Sequence, residues 1–256
     1  MRSALKAEFT KLLTVRSTYI LTSLVLLAIA AISLYVIGYS AGAGPYDRSN
    51  FMADAIFMSI STFATFAGII AILLVSHEYR YNTISYTLTA ARSRLSVLAA
   101  KTIVVLAYTV VVGLLVTLVT YAFTLWGVSL KGAELAPQSL PILELTWRYG
   151  AMLLGYALIG LLFAVLLRSV VVAIIAFLFL PTVEGILTLI PAVNADYLPF
   201  ASLNAVATNP SVVEGAGDAA GMLSQLSPLA ALGVFSVYLA VLGVSSAVLF
   251  VRRDAN

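Results

Sequence analysis

Cysteine is absent from this chain of 256 residues, and histidine occurs once, at His77. The first absence excludes disulfides and thiolate metal sites, and the second excludes a centre built on several imidazoles. Charge is scarce as well. Asp, Glu, Lys and Arg make up 10% of the residues, against about 25% in soluble domains. No hydrophilic block is long enough to fold as a soluble domain, so there is no folded basic face for nucleic acid. The chain also lacks a phosphate-cradling GxxxxGK[ST] loop, an HExxH or GxSxG motif, and a pair of intramembrane carboxylates. Repeated mid-membrane charges of the kind that mark proton relays and ion-coupled carriers are missing too. The chain thus shows no means of drawing energy from a nucleotide or an ion gradient. If it moves something, a partner must do the work.

What the chain has in quantity is apolar sequence, 62% of all residues. Six segments are long and apolar enough to cross about 30 Å of hydrocarbon as helices: Thr18–Tyr39, Met52–Ser76, Thr102–Trp126, Tyr149–Leu167, Val170–Ile190 and Pro228–Val251. Only Arg168 and Ser169 separate the fourth from the fifth, which predicts a tight hairpin. Ser227-Pro228 reads as an N-cap followed by proline at the first helical position. Residues 1–17 read as an interfacial amphipathic helix, with Leu5, Phe9, Leu12 and Leu13 on the membrane face and Lys6, Glu8 and Lys11 turned away. A secretory signal ending at Ala41-Gly42-Ala43 is the competing reading, but the run from Tyr19 to Tyr39 exceeds the ~7–15 residues of such a segment.

Lys and Arg mark the side that stays inside. With the N-terminus inside, that side holds Arg2, Lys6, Lys11, Arg16, Arg80, Arg92, Arg94, Lys101, Arg168, Arg252 and Arg253, leaving only Arg48, Lys131 and Arg148 outside. The expected fold is therefore all-α: one polytopic transmembrane domain over 1–256, six spans, both termini cytosolic. Residues 191–227 form the longest outer loop, broken by Pro and Gly, with Leu198–Ala207 able to make short helices against the outer leaflet.

The stretch from His77 to Lys101, HEYRYNTISYTLTAARSRLSVLAAK, is the one long cytosolic interruption. It carries Arg80, Arg92, Arg94 and Lys101 against the single acid Glu78. Apolar Ile84, Tyr86, Leu88, Leu95, Val97 and Leu98 between the charges permit short amphipathic helices at a membrane surface. Glu78 can pair with Arg80 or with the basic N-terminal helix. Arg92 and Arg94 can make bidentate contacts to carboxylates on a partner. The plainer reading of these cations is topology marking against anionic lipid.

Glu78-Tyr79-Arg80, Thr83, Arg94 and Lys101 resemble the first cytosolic loop of ABC-2 type transporter permeases. Asn82 stands where that pattern has Gly, and Ala91 where it has Pro. Glu8 and Lys11 in LKAEFTKLLTVRS resemble the family's N-terminal helix. The resemblance implies a six-span permease subunit of an ATP-binding-cassette exporter, paired with a second permease copy as a homodimer or heterodimer. Two separate ATPase subunits would hold ATP and Mg, while this chain would bind no cofactor and perform no catalysis. The loop would dock on those subunits through Glu78, Arg80, Thr83, Ile84, Tyr86, Leu88, Arg92, Arg94 and Lys101. The implied cargo is an amphiphile (a drug, peptide antibiotic, lipid or glycan-lipid) moved outward across a bacterial cell membrane, with lipids as the surrounding partner. A different class of reading is a non-transporting scaffold or immunity protein that binds a cytosolic partner through the same loop.

Within the spans, Ser61, Thr65 and Gly68 share a helix face, and Ala151-xxx-Gly155 and Gly160-xxx-Ala164 repeat the small-residue pattern of close helix packing. Ser61, Thr65, Phe66, Phe177 and Glu184 are the candidates for a substrate pathway, with packing the plainer reading. Glu184, between Pro181 and Gly185, is the one acid inside an apolar run. Two readings stand open for it: a bend that brings it near the outer surface, or a polar contact in the pathway or at a dimer seam.

Overall fold

A computed structural model of the chain describes residues 2–39, 51–80, 93–132, 141–187, 190, 194–208 and 226–252. These residues form helices and no strands. We label the helices α1 (Arg2–Thr14), α2 (Arg16–Ala31, continued by a π-helical segment Ile32–Gly38), α3 (Phe51–Arg80), α4 (Arg94–Leu130), α5 (Ile142–Leu167), α6 (Val170–Leu187), α7 (Pro199–Ala207) and α8 (Pro228–Arg252). Helices α2 with its π-helical extension, α3, α4, α5, α6 and α8 are the six long and apolar enough to cross a membrane, matching the six spans read from sequence.

The centre of the bundle is the α3–α5 pair, the most extensive helix contact in the protein. Glycine makes that contact close. A Cβ on Gly160 would overlap the backbone of Gly68, and a Cβ on Gly68 would overlap the Phe177 ring of α6. Small residues here let two backbones approach, the main way helices associate when lipid is as apolar as they are. Gly155 is shielded in the same way by Leu203 of α7 and Phe235 of α8. Packing was thus the correct reading of Gly68, Gly155 and Gly160. A further crossing went unseen in the sequence: Gly38, ending the π-helical segment, lies against Gly127 of α4, and a Cβ on either would meet the other segment's backbone.

Helices α6 and α8 cover this centre and leave large apolar side chains exposed on their far faces. Val171, Ile175 and Phe179 on α6 and Val237, Val241 and Val244 on α8 are examples. Such faces suit hydrocarbon or another membrane helix. The α5–α6 hairpin is as tight as expected. Arg168 takes the left-handed conformation (φ 52°, ψ 12°) that caps α5, its N–H bonding to Ala164 O at 3.1 Å, a place that usually favours glycine. Ser93 caps α4 by accepting from Ser96 N at 3.2 Å, and Ser227 caps α8 by accepting from Ala230 N at 3.3 Å.

The face of α1 differs from the one read off its periodicity. Glu8 and Leu12 are buried and Lys11 is half-buried, while Phe9 and Leu13 are exposed. Apolar spacing had set Glu8 and Lys11 on the face opposite Leu12. The inward turn follows from a stronger demand, because the buried Lys101 of α4 needs carboxylates beside it.

The two ends of the bundle have different chemistry. One end gathers α1, the end of α3, the start of α4, the α5–α6 turn and the end of α8. Arg94 Nη1 donates to Val251 O at 3.1 Å, so the last turn of α8 lies at this charged end with α1. The far end carries α7, Arg148 paired with Glu144 at 2.6 Å, and Lys131 above the Tyr39 ring at 4.4 Å.

Candidate functional site at the charged end

Helix α4 is 37 residues long, roughly 55 Å at 1.5 Å per residue, well beyond what hydrocarbon needs. Its first residue lies beside the end of α8, and its second turn brings Lys101 beside Glu78 near the end of α3. Lys101 is 2% exposed, Glu78 5% and Glu8 7%. Lys101 Nζ donates to Glu78 Oε1 at 2.6 Å and to Glu8 Oε2 at 3.0 Å. Lys11 Nζ donates to the same Glu78 Oε1 at 2.6 Å and to Glu8 Oε1 at 3.0 Å. Two lysines and two carboxylates thus close a ring that locks α1 to α3 and α4. Burial works against the charge on Lys11, but its hydrogen bonds and attraction to Glu78 and Glu8 prevail and raise its pKa above the usual 10.5.

The ring joins the two roots of the 77–101 stretch. Glu78 stands two residues before the end of α3 and Lys101 seven residues into α4, and they meet directly. The Arg168 guanidinium lies 5.5 Å from the Tyr79 ring centre, tying the α5–α6 turn to the same root. Arg94 is tied to the end of α8. The two roots are thus tied directly or through one contact to α1, α3, α4, α5 and α8. A cavity of about 360 Å³ adjoins the ring, lined by Glu8, Lys11, Thr18, His77, Glu78 and Lys101 on its polar side and by Leu73, Leu74, Val104 and Val105 on its apolar side.

Residues 4–191 match the family described as ABC-2 family transporter protein. The chain belongs to the ABC-2 transporter family. No curated protein and no solved structure matches it. The ABC-2 match includes every member of the charged ring and stops before α7 and α8. It makes this protein a membrane permease subunit, and the family works with ATP-binding-cassette ATPase subunits.

Of the coupling residues expected from the ABC-2 resemblance, Glu78, Arg94 and Lys101 fall in the described structure with their side chains. Arg80 ends α3. Thr83, Ile84, Tyr86, Leu88 and Arg92 lie outside the described residues. Glu78 and Lys101 face each other inside the bundle instead of the surroundings, and Arg94 is held on Val251 O. The pairing of Glu78 with the N-terminal helix was one of its two expected partners. Glu8 and Lys11, read from the sequence as family-like and as part of the polar face of the N-terminal helix, complete the ring. Their i, i+3 spacing was the available signal.

The pathway candidates are dispersed. Ser61 Oγ donates to Phe57 O of its own helix at 2.7 Å, Thr65 is half-buried, and Phe66 packs on the main core. Phe177 is buried edge-on against Tyr156 and Phe200, with ring centres 6.1 and 5.8 Å away. Glu184 is 4% exposed and lies at the end of the bundle that carries α7. Its Oε2 accepts from Phe200 N and Ala201 N, both at 2.9 Å. It acts as a cap in trans for α7, whose proline start leaves no side-chain cap of its own. Asn204 on α7 accepts from Tyr156 Oη at 3.0 Å, completing the dock.

Proposed function

We propose that this ABC-2 permease couples ATP hydrolysis in two separate ATPase subunits to the outward movement of an amphiphile. The charged end faces the cytosol, in keeping with the 11-to-3 distribution of Lys and Arg in the sequence. The ATPase subunits dock on the 77–101 stretch, and a second permease copy, identical or different, completes the transporter. One observation supports this reading most: the Lys101–Glu78–Lys11–Glu8 ring turns the roots of that stretch and the N-terminal helix into a single stiff piece. Paired charges held by four short contacts resist shear, because parting them leaves buried ions without partners. The ring therefore works as a force-transmitting joint, and the residues between its roots serve as the handle. The multi-pass protein belongs in the cell membrane of a bacterium.

Isolation of the intact complex from its native membrane tests the reading. An ATPase subunit should co-purify, and its ATP turnover should change when amphiphiles are added. A chain that purifies alone, or with a partner lacking ATPase activity, would favour a scaffold role instead.

A further inference from the structure

The first span changes its hydrogen-bond register part-way along. Helix α2 ends at Ala31, and Ile32–Gly38 continues it as a π-helix. Tyr39 N donates to Leu34 O, five residues back, at 2.9 Å. Turns of this kind are rare and concentrate at functional sites. Nothing local imposes one here. The segment reads ISLYVIG, without proline and with glycine only at its last position.

The register decides which side chains face the bundle. At about 100° per residue, an α-helix continued from the buried Ile29 would set Val36 on the same face as Ile29 and turn Gly38 to the opposite one. The π-helical segment does the reverse. Val36 is 61% exposed, whereas Leu34 is 7% exposed and Gly38 is buried. Each register therefore buries one branched apolar side chain, Leu34 or Val36, and apolar burial separates the two only slightly.

The contact with α4 narrows the difference further. Ser33 Oγ, Thr120 Oγ1 and Thr124 Oγ1 are buried and have no hydrogen-bond partner among the described residues. Buried hydroxyls without partners are unfavourable. Thr22, Thr102 and Thr117, by contrast, each donate to the carbonyl four residues back in their own helices. Towards the charged end the span is fixed. The Thr22 and Tyr108 hydroxyls share a hydrogen bond between α2 and α4, and α1 is held in the charged ring. Towards the far end, the contact of Lys131 with the Tyr39 ring joins two exposed residues and is weak.

We propose that Ile32–Gly38 is a two-register switch. It passes between the π-helical form and an α-helical one in which Val36 turns onto α4 while Leu34 and Gly38 leave it. The far end of the first span then turns about its own axis while α1 and the start of α2 stay on the charged ring. The switch is independent of the transport reading, since it needs only the packing of this span on α4.

The chain has no cysteine of its own, so engineered pairs oxidised in native membranes test this. Ile37→Cys with Val128→Cys, whose side chains share one apolar cluster, reports the π-helical register. Val36→Cys with Thr124→Cys reports the α-helical one, because Thr124 abuts the segment at Gly38 and Val36 is turned outward in the π-helical form. Tyr35→Cys with Thr124→Cys faces outward in both registers and gives the background. The Val36→Cys pair should form its disulfide at least about tenfold faster than the Tyr35→Cys pair, since molecules that visit the α-helical register bring its thiols together. Deleting Tyr35 lets an unbroken α-helix carry Ile37 inward. Cross-linking at Val36→Cys should then fall to background while that at Ile37→Cys persists. The full-length pairs decide the matter even if the shortened chain fails to fold. A Val36→Cys pair no faster than background beside an efficient Ile37→Cys pair overturns the proposal, as does Val36→Cys cross-linking that survives the deletion.

Discussion

A lysine buried near the end of a membrane-spanning helix is tolerable only with carboxylates around it, and Lys101 has two. Replacing it by Met should destabilise the protein by about 3–5 kcal/mol, because Glu8 and Glu78 would stay buried with only the half-exposed Lys11 between them. Unfolding in mixed micelles measures this, and adding Glu8→Gln to Lys101→Met should recover part of the loss. Lys11 sets the pH dependence. Its pKa is raised in the folded protein, so its contribution is complete below the ordinary 10.5 and is lost as pH climbs through the higher folded value. Stability attributable to Lys11 should be flat between pH 7 and 9 and decline only above about 10.5, a decline that Lys11→Met should lack. Glu78 could be paired with the N-terminal helix from sequence because it is the only acid in a basic stretch. Glu8 could not be placed, because helical periodicity counts apolar residues and a buried carboxylate counts as polar. Glu184 escaped for a similar reason. Its partners are backbone amides at the start of α7, and backbone donors leave no mark in side-chain sequence.

At the level of elements, the six spans were legible because each carries an unbroken apolar run with polar or Pro/Gly punctuation at its ends. The α5–α6 hairpin was equally plain from Arg168-Ser169, and α7 follows the Leu198–Ala207 stretch closely. Pairings between helices were less so. GxxxG-type spacing marked Gly160, but nothing local shows that Gly68 is its counterpart or that Gly38 meets Gly127, since contacts between distant residues depend on how whole helices are laid side by side. The same geometry gives a discriminating pair of variants. Gly160→Val pushes a branched side chain into the Gly68 backbone and should cost roughly 3 kcal/mol, at or above the upper range for overpacking. Gly150→Ala meets nothing within 4 Å and should be neutral or stabilising by up to ~1 kcal/mol. Thermal inactivation in detergent, with gel filtration to follow the folded fraction, separates the two.

For the whole molecule, the distribution of charge and the bundle geometry agree. Of the cations that sequence assigns to one side, Lys11, Arg94, Lys101 and Arg168 make their contacts at one end, while Lys131 and Arg148 make theirs at the other. This follows from six crossings of one bundle, which return both termini to one end. What the chain alone could not show is that its charged end is cross-braced by contacts among α1, α3, α4, α5 and α8. The most direct test is the coupling ratio of the permease reconstituted with its ATPase subunits: amphiphile exported per ATP hydrolysed, in wild type and in Lys11→Met. That substitution removes one of the two lysine bridges and leaves the buried Lys101 bridge to hold the fold. ATP hydrolysis should persist while the ratio drops roughly fivefold or more, the low end of a 1–3 kcal/mol coupling. A Lys11→Met complex with an unchanged ratio would contradict a force-transmitting ring.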